Sequence, residues 1–132
     1  MCGILGGSKK TWHYESGIKS ISHRGPDMQR VIREDRFSLA FARLSIIDLS
    51  QAAMQPMTSG DGKVTIVYNG EIYGYSDLKA RLEKKYQFVS SSDTEVILNA
   101  YMEYGDAFID YIDGIFAIAI YDRRNQTIRL FR

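Results

Sequence analysis

The stretch Ile115-Phe116-Ala117-Ile118-Ala119-Ile120-Tyr121 is apolar on both phases of a two-residue repeat. A strand with water on one face alternates apolar and polar side chains, so this one is expected to be covered on both. A chain built around such a strand must place a layer on either side of it, which points to stacked sheets flanked by helices. Other strand signals agree. Phe37, Leu39 and Phe41 alternate with smaller residues before Arg43, and Val64, Ile66 and Tyr68 alternate before Asn69-Gly70. Residues 122–126 read as a turn into Thr127–Phe131, a hairpin partner for the apolar strand. Helical spacing is expected at Tyr14, Ile18 and Ile21, although Gly17 weakens it. Ser76 reads as an N-cap for a helix packing Leu78 and Leu82. Ser92-Asp93-Thr94-Glu95 has capping-box spacing ahead of Val96, Ile97, Ala100, Tyr101 and Tyr104, with Gly105 as the stop. Residues 23–27, 45–60 and 88–91 read as loops.

Composition narrows the classes. The 132 residues suit a single domain, and 45% hydrophobic content with two prolines supplies a real core rather than disorder. A net charge of +1 gives no footprint for nucleic acid or an anionic membrane. No apolar run reaches the roughly 18–20 residues of a membrane span, and the N-terminus has no signal-peptide pattern, so a cytoplasmic protein is expected. The single cysteine excludes a disulfide framework within the chain and fits a reducing compartment. His13 and His23 give no metal spacing, and no metal site is expected. Gly6-Gly7-Ser8-Lys9-Lys10-Thr11 fails the spacing of a phosphate loop.

Chemistry concentrates elsewhere. Cys2 becomes N-terminal if Met1 is removed, and would then carry a thiol and a free α-amine. An α-amine, with an ordinary pKa of about 7.7–8.0, can act as general base toward a thiol in the same residue. The bland reading is a small buried hydrophobe at the start of a strand. Asn69-Gly70 between alternating strands is the strongest short-range hairpin signal. The same pair could instead offer a side-chain amide and a backbone N–H to a developing oxyanion. Arg43, among apolar neighbours, is either a snorkelling strand-end cation or a fork for a carboxylate. Asp93 is either a helix-start residue or an acceptor for an ammonium group.

Taken in order, Cys2-Gly3-Ile4-Leu5-Gly6, His23-Arg24-Gly25-Pro26-Asp27, Arg43-Leu44-Ser45-Ile46-Ile47-Asp48, Gln55-Pro56-Met57, Asn69-Gly70-Glu71-Ile72-Tyr73, Ser92-Asp93-Thr94-Glu95-Val96-Ile97 and Gly114-Ile115-Phe116-Ala117 span the chain. On these segments the chain resembles the glutaminase domain of class II glutamine amidotransferases of the asparagine synthetase type. The resemblance implies an N-terminal-nucleophile hydrolase fold: α+β, a four-layer αββα sandwich of two antiparallel sheets, incomplete at its C-terminal edge. It implies one glutaminase domain over residues 1–132, with the synthetase domain absent. Carried over by residue, Cys2 is the nucleophile, and Asn69 and Gly70 form the oxyanion hole. Arg43 holds the glutamine α-carboxylate, Leu44, Ser45, Ile46 and Ile47 line the site, and Glu71 and Asp93 serve the α-amino end. Residues 23–27 are expected to be scaffold around the nucleophile strand. The implied reaction runs through a Cys2 thioester, releasing ammonia and then glutamate. No cofactor is expected in this chain; ATP and Mg belong to a synthetase domain that receives the ammonia. Glutamine is the expected ligand, and a homodimer is common in such relatives. Two alternatives stand beside this: a non-catalytic glutamine-binding or docking module, and a glutaminase serving a sugar or phosphoribosyl acceptor.

Overall fold

The computed structural model describes residues 2–8, 11–44 and 50–132. The apolar sequence about position 118 forms β6 (Asp113–Asp122), which pairs antiparallel with β5 (Val64–Tyr73) over all ten residues of each strand. β5 is flanked on its other side by β4 (Met57–Thr58), and β6 by β7 (Thr127–Phe131), giving the order β4-β5-β6-β7. A second antiparallel sheet holds β1 (Gly3–Gly7), β2 (Met28–Arg33) and β3 (Ser38–Arg43) in the order β1-β3-β2. Helix α1 (Tyr14–Ser20) covers the outer face of this smaller sheet, where Ile18 meets Ala40 and Ala42. Helices α2 (Ser76–Leu82) and α3 (Asp93–Tyr104) cover the outer face of the larger one, burying Leu78, Leu82, Val96, Ile97 and Tyr101 against Ile66, Tyr68 and Ile120.

Between the sheets lies a smaller cluster. Phe37, Leu39, Phe41 and Met54 meet Val67, Ala119 and Tyr121, with the Phe37 and Tyr121 ring centroids 3.7 Å apart. The order across the molecule is therefore α1, sheet, sheet, α2 with α3: the expected αββα arrangement. No helix among the described residues is long and apolar enough to cross a membrane.

Several local readings need correction. Asn69-Gly70 is not a hairpin turn; both residues lie inside β5, opposite Ala117 and Phe116. The reason is tertiary: β6 offers an unbroken ladder past this point, and completing it outweighs a dipeptide's turn preference. Ser76 is the first helical residue of α2, and Tyr75 occupies the cap with no side-chain bond. The capping box is half made. Ser92 Oγ accepts from Thr94 N–H at 3.2 Å. Glu95, instead of reaching back to Ser92, accepts from Val89 N–H, Ser90 N–H and the Ser90 hydroxyl and so pins the preceding loop. β6 is buried on both faces only in its second half, since Ile115 is 74% exposed. Ile128 and Leu130 of β7 are exposed as well. Gly105, with φ of 60°, does end α3, and the chain continues as a 3-10 turn, Gly105–Tyr111, into β6.

Residues 23–27 pack onto the end of β3. Asp27 N–H donates to Arg43 O at 3.0 Å, and a Cβ on Gly25 would stand 2.1 Å from Ala42 O and 2.6 Å from Arg43 N. Only glycine permits that approach. Gly25→Ala is expected to lower unfolding free energy by about 1–3 kcal/mol, the usual cost of overpacking. Gly60→Ala, with nothing within 4 Å, is expected to stay within about 0.5 kcal/mol. Urea denaturation of the two variants checks the contrast.

Candidate functional site

Alternation along the strands decides which side chains face the space between the sheets. On β3, Leu39 and Phe41 line that space and Arg43 follows them on the same phase. Cys2 lies one residue before the Gly3↔Ala42 pair, and its side chain packs with the same cluster as Ile4 and Val67. On β5, Val67 faces inward, while Tyr68 packs with the helices; Asn69 follows Val67 in phase. By strand phase, Cys2, Arg43 and Asn69 thus all take the side of their sheets that faces the inter-sheet layer.

The environment of the thiol is mostly backbone. Leu44 N–H donates to Cys2 Sγ at 3.3 Å, and the thiol is 3.5 Å from Leu44 O, where it can donate. Arg24 Nε donates to Cys2 O at 3.2 Å and fixes the peptide that carries the nucleophile candidate. Nothing in the sequence of residues 23–27 signals a bond to residue 2; the Arg24 contact depends on the fold. Leu44 is expected to line the site; what the structure shows is its backbone, in contact with the Cys2 sulfur. Ser45, Ile46 and Ile47 lie outside the described residues.

Arg43 is 5% exposed, and its Nη1 donates to Ser50 O at 2.8 Å, tying β3 to the segment that follows it. The Asn69 side chain makes no hydrogen bond among the described residues, and Gly70 beside it is exposed. Glu71 is exposed and follows Asn69 in phase on β5.

Asp93 sits on the other face of β5. It is the first residue of α3 and is 5% exposed, and its Oδ2 accepts from the Tyr68 hydroxyl at 2.8 Å. Burial raises its carboxyl pKa, while Tyr68 and the backbone N–H groups of Thr94 and Ile72 oppose that rise. Burial, and then the Asp93 charge, push the Tyr68 phenol up. Tyr68 and Ile72 bracket residues 69–71, so Asp93 grips β5 on either side of the predicted oxyanion and α-amino residues. Gln55 reinforces this, accepting from Tyr68 N–H at 2.5 Å and donating to Thr94 Oγ1 at 3.0 Å. Tyr68 reads as core in the sequence; the usable signal was that a buried tyrosine hydroxyl needs an acceptor. The structure therefore joins Cys2 to Leu44, turns Arg43 and Asn69 toward the same layer by strand phase, and places Asp93 on the helix side of β5. Among the described residues no group of histidine, cysteine, aspartate and glutamate could hold a metal.

The glutamine amidotransferase domain family matches residues 1–132. Asparagine synthetase [glutamine-hydrolyzing] 2 of Bacillus subtilis is 39% identical over 141 residues, covering 100% of this chain and 19% of that protein. Asparagine synthetase B of Escherichia coli is 43% identical over 112 residues, covering 85% of this chain and 20% of that protein. The amidase chry2 of Gibberella zeae is 38% identical over 116 residues, covering 86% and 17%. This chain thus spans about a fifth of the length of the curated relatives it matches. Among solved structures, the glutamine phosphoribosylpyrophosphate amidotransferase of B. subtilis superposes with a TM-score of 0.74 at 19% identity, covering 92% of this chain and 35% of that one. That likeness concerns the fold.

The Asp93 geometry makes a pH prediction. Its folded pKa lies above the ordinary carboxyl value of 3.8. The folded state therefore holds the proton over a wider range than the unfolded state, and this group's contribution to stability falls as pH rises through that window. Thermal midpoints of the parent relative to Asp93→Asn are expected to decline as pH increases from about 4, then level off. A difference independent of pH would contradict the assignment.

Proposed function

The chain belongs to the glutamine amidotransferase domain family, and from that premise we propose that it hydrolyses the side-chain amide of glutamine through Cys2. The observation that supports the reading is Cys2 packed into the inter-sheet cluster with Leu44 N–H donating to its sulfur, on the layer toward which strand phase turns Arg43 and Asn69.

With Met1 removed, the Cys2 α-amine takes the thiol proton and the sulfur attacks the amide carbon. The carbon–oxygen π pair moves to oxygen, and Asn69 Nδ2 with Gly70 N–H meets the resulting oxyanion. Collapse breaks the carbon–nitrogen bond, the nitrogen leaves as ammonia with the proton from the α-ammonium, and a γ-glutamyl thioester remains. Water adds to the thioester, glutamate leaves and the thiol is restored. Arg43 holds the α-carboxylate by a charge-assisted fork. Asp93 and Glu71 attract the α-ammonium, Asp93 from behind the strand, where a bound cation would offset the cost of its burial. The ammonia passes to a synthetase-type domain of a longer protein, and ATP and Mg act there. Relatives named as asparagine synthetases favour that acceptor chemistry over a sugar or phosphoribosyl acceptor.

Intact mass after incubation with a glutamine-mimicking diazoketone tests the nucleophile. The expected species lacks Met1 and carries one adduct, absent from Cys2→Ala. A processed but unmodified chain would favour a glutamine-binding module without turnover. Asn69→Ala is expected to keep the fold and bind glutamine while releasing glutamate about 10²–10³-fold more slowly. Release at the parental rate would remove Asn69 from the oxyanion hole.

A further inference from the structure

We infer that Gly114, on β6, is a positioning residue for the Asn69 and Gly70 oxyanion donors, an inference that rests on the reading of that pair given above. In the β5–β6 ladder Gly70 stands opposite Phe116, and Gly114 stands opposite Ile72. Each glycine lies against the main chain of the other's strand. A Cβ on Gly70 would be 2.3 Å from Ile115 O and 2.6 Å from Phe116 Cα. A Cβ on Gly114 would be 2.2 Å from Glu71 O and 2.8 Å from Ile72 Cα. All of these are backbone atoms, which cannot turn aside as the tip of a side chain can.

The neighbour of Gly114 is thus the carbonyl of the residue directly after Gly70. Whatever occupies position 114 sets the path of residues 70–72, and with it the aim of the Gly70 N–H and the Asn69 amide. Gly60, Gly62, Gly74 and Gly105 have nothing within 4 Å, and Gly25 makes a comparable backbone approach to Ala42; in Gly70 and Gly114 each glycine lies against the other's strand. Relieving a 2.2 Å contact to an ordinary one near 3.5 Å needs a displacement on the order of 1 Å. A misplacement of that size costs about 10²-fold in rate. Asp93 and Tyr68 hold the same stretch from the helix side, so it cannot yield without disturbing that clamp. Gly114 itself touches no substrate; it acts through the strand.

Gly114→Ala is expected to lower kcat for glutamine hydrolysis by about 10²-fold with KM within about threefold, and to leave alkylation of Cys2 by iodoacetamide at the parental rate. The Gly70 amide resonance should shift. A core control, Ile97→Val, should lose stability without losing kcat. Parental kcat in a folded Gly114→Ala chain would overturn the inference, as would a parallel decline in kcat, KM and alkylation that tracks stability alone. Should Gly114→Ala fail to fold, Phe116→Gly takes away Phe116 Cβ, the side-chain atom nearest Gly70, without adding bulk. It is then expected to lower kcat about tenfold at constant KM, and parental kcat there would overturn the inference equally. A parent chain that releases no glutamate overturns the proposed function instead. The Gly70 resonance in Gly114→Ala then decides the coupling alone: a shift upholds it, and an unmoved resonance removes it.

Discussion

The β5–β6 ladder is the constraint on which the rest of the molecule depends. It runs the full ten residues of both strands and divides the two cores. Tyr68, Ile72, Ile118 and Ile120 face the helices, and Val67, Ala119 and Tyr121 face the smaller sheet. Burial of apolar surface on both sides of one sheet makes its register hard to shift, because a one-residue slip would exchange the two faces. That register places Asn69 on the side toward Cys2 and leaves Tyr68 for Asp93. A ladder that ended at Asn69-Gly70 would have separated these partners.

Main-chain atoms do much of the positioning. The cysteine sulfur is addressed by the N–H of Leu44, and its carbonyl is held by Arg24. Gly25 lets the loop that carries Arg24 lie against β3. Backbone donors fixed in a sheet need little reorganisation when charge develops, which suits them to an electrostatic role. The charged side chains serve differently. Buried Arg43 ties β3 to Ser50, and buried Asp93 ties α3 to β5. Each carries a solvation penalty that its hydrogen bonds offset in part.

How much of this was legible in the sequence follows from the range of each signal. Strand periodicity at Phe37 to Phe41 and Val64 to Tyr68, and the Gly105 stop, are short-range patterns and reappear in the structure. So does the hairpin into β7, whose register is set by a short turn. Local patterns failed where a distant partner competed for the same groups. Glu95 left the capping box for the loop at Val89 and Ser90, and Asn69-Gly70 surrendered its turn to β6. The ordered motifs name Cys2, Arg43 and Asn69 together without showing how the strands place them. The Tyr68 link to Asp93 and the Arg24 link to Cys2 required the assembled sheets. Motif spacing fixes identity along the chain, whereas such contacts depend on which strand face each residue takes.

The separation of the site along the chain has a kinetic meaning. Cys2 and Leu44 are 42 residues apart, and between β5 and β6 lie two helices and a 3-10 turn. Closing loops of this kind costs entropy before any contact repays it, so folds dominated by distant pairings form slowly. Local helices can order early, yet no early helix carries the thiol and its amide partners together. The smaller sheet alone would present Cys2 and Arg43 without Asn69, and the larger one alone would present the reverse. A partly folded chain, even one rich in secondary structure, therefore does not bring the two sheets together around its lone thiol. On the function proposed above, turnover is a stricter gauge of finished folding than helical content, because it requires both sheets to have found each other.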